Sequence, residues 1–246
     1  AMWQFQQGDG DESARVADYV VDRMLAKYRR PLSRLTRERV KADLDRIFGA
    51  LLGLAEGACP VESGLPGREI KPAAWNAPAR MDLAVTYRCN LQCAKCYNGE
   101  HPPAAELTAG QWREIYRTLW DIGIPQVVFT GGEPTLREDI VELIEEAEEF
   151  VTGLVTNGTR LAELAAPLRQ ASLDYAQITV ESFDPKVHDH MTGRSGSHGL
   201  TLAGLKQMQQ VGIQVVTNTT LTKINAPQFC DTITWLRNTL GVENIA

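Results

Sequence analysis

The sequence Cys89-Asn90-Leu91-Gln92-Cys93-Ala94-Lys95-Cys96 places three cysteines within eight residues, directly after the apolar run Met81-Asp82-Leu83-Ala84-Val85-Thr86-Tyr87. Thiolates are soft ligands that favour iron-sulfur clusters, zinc or copper(I), and three of them on one short loop are able to bind a single metal centre. The apolar run predicts a β-strand. The loop that follows it therefore predicts a metal or cluster site at the end of that strand.

A glycine motif follows the next strand-like run. The string Thr130-Gly131-Gly132-Glu133-Pro134 comes directly after Gln126-Val127-Val128-Phe129. Because the two glycines lack a Cβ atom, the backbone can approach a ligand closely, and the carbonyl and Glu133 carboxylate oxygens can accept hydrogen bonds from an ammonium group. With the cysteine loop before it, this motif resembles the radical S-adenosylmethionine (radical SAM) enzymes.

The resemblance implies that Cys89, Cys93 and Cys96 bind three irons of a 4Fe-4S cluster, whose fourth iron is open for SAM. An electron from the reduced cluster would then cleave SAM to methionine and a 5′-deoxyadenosyl radical. It also implies that residues at the ends of strands two to five bind SAM. These residues are Gly131, Gly132, Glu133, Asn157, Thr179, Glu181, Ser182, Arg194 and Asn218.

Two parts of the sequence depart from the usual pattern of this family. Relatives often carry an aromatic residue before the third cysteine, where this chain has Lys95, with Tyr97 after the cysteine. Relatives also place an arginine shortly after a His-Asp pair, where this chain has Thr192, with Arg194 two residues later. At the end of strand four, Thr179 and Glu181 match a serine and an aspartate of the relatives.

Length and composition are compatible with one large domain, or with a barrel and a small additional domain. The chain has 246 residues, of which 43% are hydrophobic, and a net charge of −6, which argues against a nucleic acid as the main partner. It has no apolar run long enough for a membrane span and no secretory signal pattern, which predicts a cytoplasmic protein. Five cysteines, three of them clustered, do not suggest a disulfide framework.

Residues 1–60 are predicted to form a small helical N-terminal domain, and the proline-containing residues 61–80 a linker. Eight basic residues lie between Lys27 and Arg46. The first sixty residues faintly resemble part of the precursor-peptide-recognition domain of some radical SAM peptide maturases. The alternative is a helical cap with a solvated basic face.

Residues 81–246 alternate strand and helix patterns, which implies parallel strands joined by right-handed crossovers. Strands are predicted at 81–87, 126–130, 151–156, 175–181 and 213–220, with a long loop at 182–199, and the sixth strand begins near Val242. The fold class is therefore α/β, a partial (β/α)6 TIM-like barrel of the radical SAM type. Its C-terminal end is expected to be incomplete.

The predicted function is reductive cleavage of SAM for hydrogen abstraction, in the modification of a ribosomally synthesised peptide. Its partners would be SAM, a precursor peptide and an electron donor of the flavodoxin or ferredoxin type. One alternative is a radical SAM enzyme of small-cofactor biosynthesis, such as that of haem or a quinone. Two others are a structural zinc site with His101 as the fourth ligand, and a non-catalytic metal protein that binds nucleic acid through its basic helices.

Overall fold

Six parallel strands in one sheet form the framework of residues 77–99 and 105–246, which together with Lys41 are the residues that this computed structural model describes. The strand order follows the chain, and every neighbouring pair is parallel. The strands are Met81–Thr86 (β1), Gln126–Gly131 (β2), Val151–Thr156 (β3), Tyr175–Thr179 (β4), Gln214–Asn218 (β5) and Asn244–Ile245 (β6). The predicted α/β partial (β/α)6 barrel is confirmed.

Helices lie in the connections between the strands. Within the described residues they are Ala109–Asp121 (α1), Ile140–Glu146 (α2), Leu161–Gln170 (α3), Pro185–Thr192 (α4), Ser197–Gln210 (α5) and Phe229–Asn238 (α6). The capping box predicted before α1 is present, since the Gln111 N–H donates to Thr108 Oγ1 at 3.3 Å and the Thr108 N–H donates to Gln111 Oε1 at 2.9 Å.

The long loop predicted at 182–199 is wrong, because α4 and the first turn of α5 lie within it. The start of α4 has clear sequence signals: the Asp184 side chain accepts a hydrogen bond from the Lys186 N–H at 2.8 Å, and Pro185 occupies the first turn. Gly193 ends the helix in the left-handed conformation.

The core lies between the sheet and the helices. Phe129, Leu154 and Ile178 on β2, β3 and β4 are fully buried. The Tyr116 ring of α1 packs edge-on against Phe129 with a centroid distance of 6.3 Å, and its hydroxyl donates to the Leu143 carbonyl at 3.2 Å. Because each such side chain contributes about 1.5–3 kcal/mol on burial, this packing fixes the strands whose ends carry the candidate site.

Apart from Lys41, the predicted N-terminal domain at 1–60 lies outside the described residues, and so does most of the predicted linker at 61–80. These assignments stay predictions. Among the described helices, none has the length and apolar character needed to cross a membrane.

Candidate cofactor site

A cavity of about 370 Å³ opens at the carboxyl ends of the strands. Its volume lies within the range of about 300–1,000 Å³ that is typical of small-molecule sites. Nine of the residues predicted from the sequence line it: Cys89, Cys93, Cys96, Gly131, Gly132, Asn157, Thr179, Glu181 and Asn218. The structure therefore brings both motifs, and the ends of β3, β4 and β5, to one place.

The cysteine loop is held by its own backbone and by α4. The Cys96 N–H donates to the Cys93 carbonyl at 3.0 Å, and the Gln92 N–H donates to the Thr192 carbonyl at 3.0 Å. The Leu91 N–H donates to Cys89 Sγ at 3.5 Å, which is a contact that favours a thiolate. Burial raises the pKa of the Cys93 thiol to about 11, and a bound cation would favour its thiolate form.

The placement of these thiols is compatible with a cluster. No three His, Cys, Asp or Glu side chains of the described residues converge to hold one metal ion. In a 4Fe-4S cluster each thiolate binds a different iron, so the three sulfur atoms surround the cluster and need not converge on one point. All three cysteines line the cavity.

The two glycines are required by close contact between β2 and the end of β1. Gly131 has φ +134°, and a Cβ atom there would lie 2.0 Å from the Thr86 carbonyl oxygen. The Gly132 N–H donates to that same carbonyl at 2.8 Å, while Asn98 Nδ2 donates to the Gly131 carbonyl at 2.5 Å. The segment before the cysteine loop and the glycine motif therefore form one rigid unit.

Glu133 is buried and does not line the cavity. Its carboxylate accepts hydrogen bonds from Thr135 Oγ1 at 2.5 Å, Thr156 Oγ1 at 2.7 Å and the Asn157 N–H at 2.7 Å. Burial raises its pKa, and these hydrogen bonds oppose that effect. The carboxylate therefore ties the ends of β2 and β3 together, and the acceptors that the glycine motif presents to the cavity are backbone carbonyls.

Asn157 connects β3 to the cysteine loop. Its Nδ2 donates to Asn90 Oδ1 at 2.8 Å, and its Oδ1 accepts from Thr159 Oγ1 at 2.7 Å. Asn90 Nδ2 completes the set by donating to Thr159 Oγ1 at 3.0 Å. This network positions the loop between Cys89 and Cys93 relative to the end of β3.

Glu181 and Lys95 form an ion pair inside the cavity. The Glu181 side chain is completely buried, whereas that of Lys95 is 20% exposed. Lys95 Nζ contacts Glu181 Oε1 and also donates to Thr220 Oγ1. Burial raises the pKa of Glu181, and the Lys95 ammonium acts in the opposite direction. Lys95 was not predicted to be a site residue.

Two other predicted residues do not line the cavity. The Ser182 hydroxyl is buried and accepts a hydrogen bond from the Asp184 N–H at 2.9 Å, so it caps the segment before α4. Arg194 follows the left-handed Gly193, while Thr192, at the position where the resemblance led us to expect an arginine, lines the cavity. Sequence reasoning also missed these cavity residues: Lys95, Asn98, Thr130, Thr156, Thr192 and Thr220. Most of these residues lie within a few positions of the two motifs or of Asn218 in the sequence, and this proximity could have predicted them.

A buried histidine pair lies behind Glu181. The Glu181 N–H donates to His188 Nδ1 at 3.2 Å, and the His188 ring packs edge-on against His198 with a centroid distance of 5.2 Å. Burial, followed by the nearby His198, lowers the pKa of His188 to about 4. His188 is therefore neutral near pH 7 and accepts the hydrogen bond that fixes the Glu181 backbone.

We predict that the free energy of unfolding falls by about 2 kcal/mol between about pH 7 and about pH 5 because of His188. The unfolded chain binds this proton near the ordinary pKa of 6.5 and the folded chain only near 4, so acid favours unfolding across that window. The measurement is urea unfolding of the reconstituted protein and of the His188→Asn variant. Asparagine keeps an acceptor for the Glu181 N–H but does not titrate. An equal loss of stability in both proteins would contradict the prediction.

The radical SAM superfamily model matches residues 83–236 of the sequence, which is more than half of the chain. The chain belongs to the radical SAM superfamily. Enzymes of this superfamily bind a 4Fe-4S cluster and SAM, so these two groups are the cofactors of this chain. The match also decides for an iron-sulfur cluster over the zinc alternative, whose proposed ligand His101 lies outside the described residues.

Three curated relatives that match this chain carry the names of three different enzymes. A probable GTP 3′,8-cyclase of Methanopyrus kandleri is 38% identical over 136 residues, covering 54% of this chain and 44% of the relative. A PqqA peptide cyclase of Bradyrhizobium diazoefficiens is 32% identical over 161 residues, covering 63% and 42%. An AdoMet-dependent heme synthase of Oleidesulfovibrio alaskensis is 31% identical over 156 residues, covering 60% and 39%. This chain spans less than half the length of these relatives.

A solved radical SAM structure has the same fold. The crystal structure of Streptococcus suis SuiB bound to precursor peptide SuiA aligns with a TM-score of 0.59 and 20% identity, covering 68% of this chain and 38% of that chain. At this identity the likeness supports the barrel architecture and not a shared substrate.

Proposed function

We propose that this chain cleaves SAM reductively and uses the resulting radical to abstract a hydrogen atom from a peptide substrate. The observation that carries the proposal is that all three cysteines and both glycines of the motifs line the same cavity at the strand ends. The bound cluster would supply the electron for cleavage. The protein supplies the binding and orientation of both cofactors.

Cys89, Cys93 and Cys96 would hold three irons of the cluster through their thiolates. The carbonyl oxygens of the Thr130 to Gly132 backbone would accept hydrogen bonds from the SAM amino group, since the Glu133 carboxylate is already bonded to β3. Thr179, Glu181 and Asn218 line the same cavity and offer polar groups to the rest of SAM. Arg194 and Ser182 have no place in this arrangement.

A peptide substrate is supported by the cyclase relative and by the charges around the cavity. The PqqA peptide cyclase is named for a peptide. Two basic residues of the described part line the cavity, and each is paired with an acid, Arg80 with Asp82 and Lys95 with Glu181. Cations that are free of acidic partners favour the binding of a triphosphate or a porphyrin carboxylate, because they can form charge-assisted hydrogen bonds with it. The described lining therefore favours a peptide over GTP or a haem precursor.

The test follows deuterium from substrate to product. The reconstituted protein is reduced with dithionite and incubated with SAM and with each short peptide that is found encoded beside its gene, synthesised with deuterated side chains. We expect peptide-dependent 5′-deoxyadenosine that contains deuterium, with matched reactions holding GTP or an iron porphyrin giving only the basal amount. Deuterium-free product with the peptide, or stimulation by GTP instead, would contradict the peptide assignment.

The second candidate is a small-cofactor enzyme, which the heme synthase relative favours. In that case the reaction that contains the iron porphyrin, and not the one that contains the peptide, would show increased formation of 5′-deoxyadenosine. Recognition of a precursor by residues 1–60, an electron donor of the flavodoxin or ferredoxin type, and a cytoplasmic location stay predictions.

A further inference from the structure

Lys95 connects the cysteine loop to two other walls of the cavity. In sequence it lies between two proposed cluster ligands, Cys93 and Cys96. Its ammonium nevertheless contacts Glu181 Oε1, after the end of β4, and Thr220 Oγ1, after the end of β5. One side chain therefore links the loop that would hold the cluster to the walls that would hold SAM.

The Glu181 carboxylate has one oxygen left for a ligand. The side chain is completely buried and lines the cavity, and Lys95 contacts its Oε1. The other oxygen, Oε2, has no hydrogen bond of good geometry from the described residues, although the Thr220 N–H lies close enough to the carboxylate to lower its pKa. Buried polar atoms are nearly always hydrogen-bonded, so a donor is expected to complete this one. SAM brings such donors, in its amino group and its ribose hydroxyls.

Removing the lysine would leave a buried negative charge without a cation. A carboxylate at this depth is stable only when it is paired, and otherwise it takes up a proton or moves toward water. Either change would disturb the orientation of Oε2 and its strength as an acceptor.

We propose that Lys95 is a positioning residue of the SAM site, which holds the Glu181 carboxylate so that its free oxygen accepts a hydrogen bond from SAM. This inference rests on the proposed function. Because Lys95 belongs to the cysteine loop, it can hold the Glu181 carboxylate in this position only when that loop is folded. Lys95 and Glu181 should therefore act as one unit.

The experiment is a double-mutant cycle on the dissociation constant for SAM. Radiolabelled SAM is titrated by ultrafiltration into the reconstituted wild type, Lys95→Met, Glu181→Gln and the double variant. We expect each single variant to weaken binding about tenfold, because one hydrogen bond to a charged group is lost. The double variant is expected to lose the same factor of about ten, since both changes remove the same interaction. Lys95→Arg, which keeps the charge, should bind within about threefold of the wild type.

Lys206→Met, on the exposed face of α5, is the matched control and should bind as the wild type does. Iron content and thermal unfolding of each variant separate loss of SAM affinity from loss of the fold. Lys95→Met leaves the Glu181 charge unpaired, whereas the double variant removes both charges. A hundredfold loss in the double variant, or full affinity in either single variant, would overturn the inference. Coupled losses of SAM affinity in a protein that never cleaves SAM would instead overturn the proposed function alone.

Discussion

Replacing Cys93 by alanine is expected to leave the reconstituted protein without its cluster. The wild type should take up about four irons per chain, and the variant less than about one, because a 4Fe-4S cluster with an open iron depends on all three thiolates. Cys93 is the half-buried member of the three and sits in the turn closed by the Cys96 N–H. Iron and sulfide analysis with visible absorption spectra under nitrogen measures the effect.

Cys230→Ala is the matched control for this prediction. Cys230 is an exposed cysteine on α6, outside the lining of the cavity, so its removal should leave the iron content unchanged. Full iron content in Cys93→Ala would show that the cluster is held elsewhere. Tightly bound zinc in place of iron in the wild type would also contradict the assignment of the loop.

Gly132→Ala is expected to destabilise the protein by at least about 2 kcal/mol and to lower its iron content. A Cβ atom at this position would lie 2.3 Å from the Arg88 carbonyl oxygen and 2.7 Å from that of Tyr87. Both are backbone atoms, so the segment that leads into Cys89 has to move. Urea unfolding and iron analysis of the reconstituted protein report the two consequences.

Gly199→Ala provides the matched control, because this glycine lies in α5 with nothing within 4 Å of an added Cβ atom. Alanine there should stabilise the protein by up to about 1 kcal/mol through its higher helix propensity. If Gly132→Ala unfolds within about 0.5 kcal/mol of the wild type and keeps its iron, the close contact between β1 and β2 is not essential to the site.

The sequence was sufficient to predict the barrel because its strand signals are strong. Apolar runs before the cysteine loop and the glycine motif correspond to β1 and β2, and the same periodicity located β3, β4 and β5. Helix α4 was missed, although Asp184 and Pro185 mark its start. It has only eight residues, and a short helix gives too few apolar repeats for its period to be recognised.

The contacts within the site were less predictable than the motifs. In sequence Glu133 directly follows the two glycines that line the cavity. Its carboxylate nevertheless accepts hydrogen bonds from Thr156 Oγ1 and the Asn157 N–H, at the end of β3. The Lys95 and Glu181 pair joins residues that are far apart in the chain and meet only when the sheet forms. Sequence periodicity gives the face of an element on which a residue lies, whereas the partners of a polar side chain depend on the assembled fold.

Formation of 5′-deoxyadenosine from SAM by the dithionite-reduced, reconstituted protein is the most direct test of the radical chemistry proposed for this cavity. It is compared with a variant in which Cys89, Cys93 and Cys96 are all alanine, with Cys230→Ala as a second reference. We expect 5′-deoxyadenosine and methionine in equal amounts from the wild type and Cys230→Ala, and none above background from the triple variant. Equal product from the triple variant, or intact SAM with a fully loaded wild type in the presence of its peptide, would contradict it.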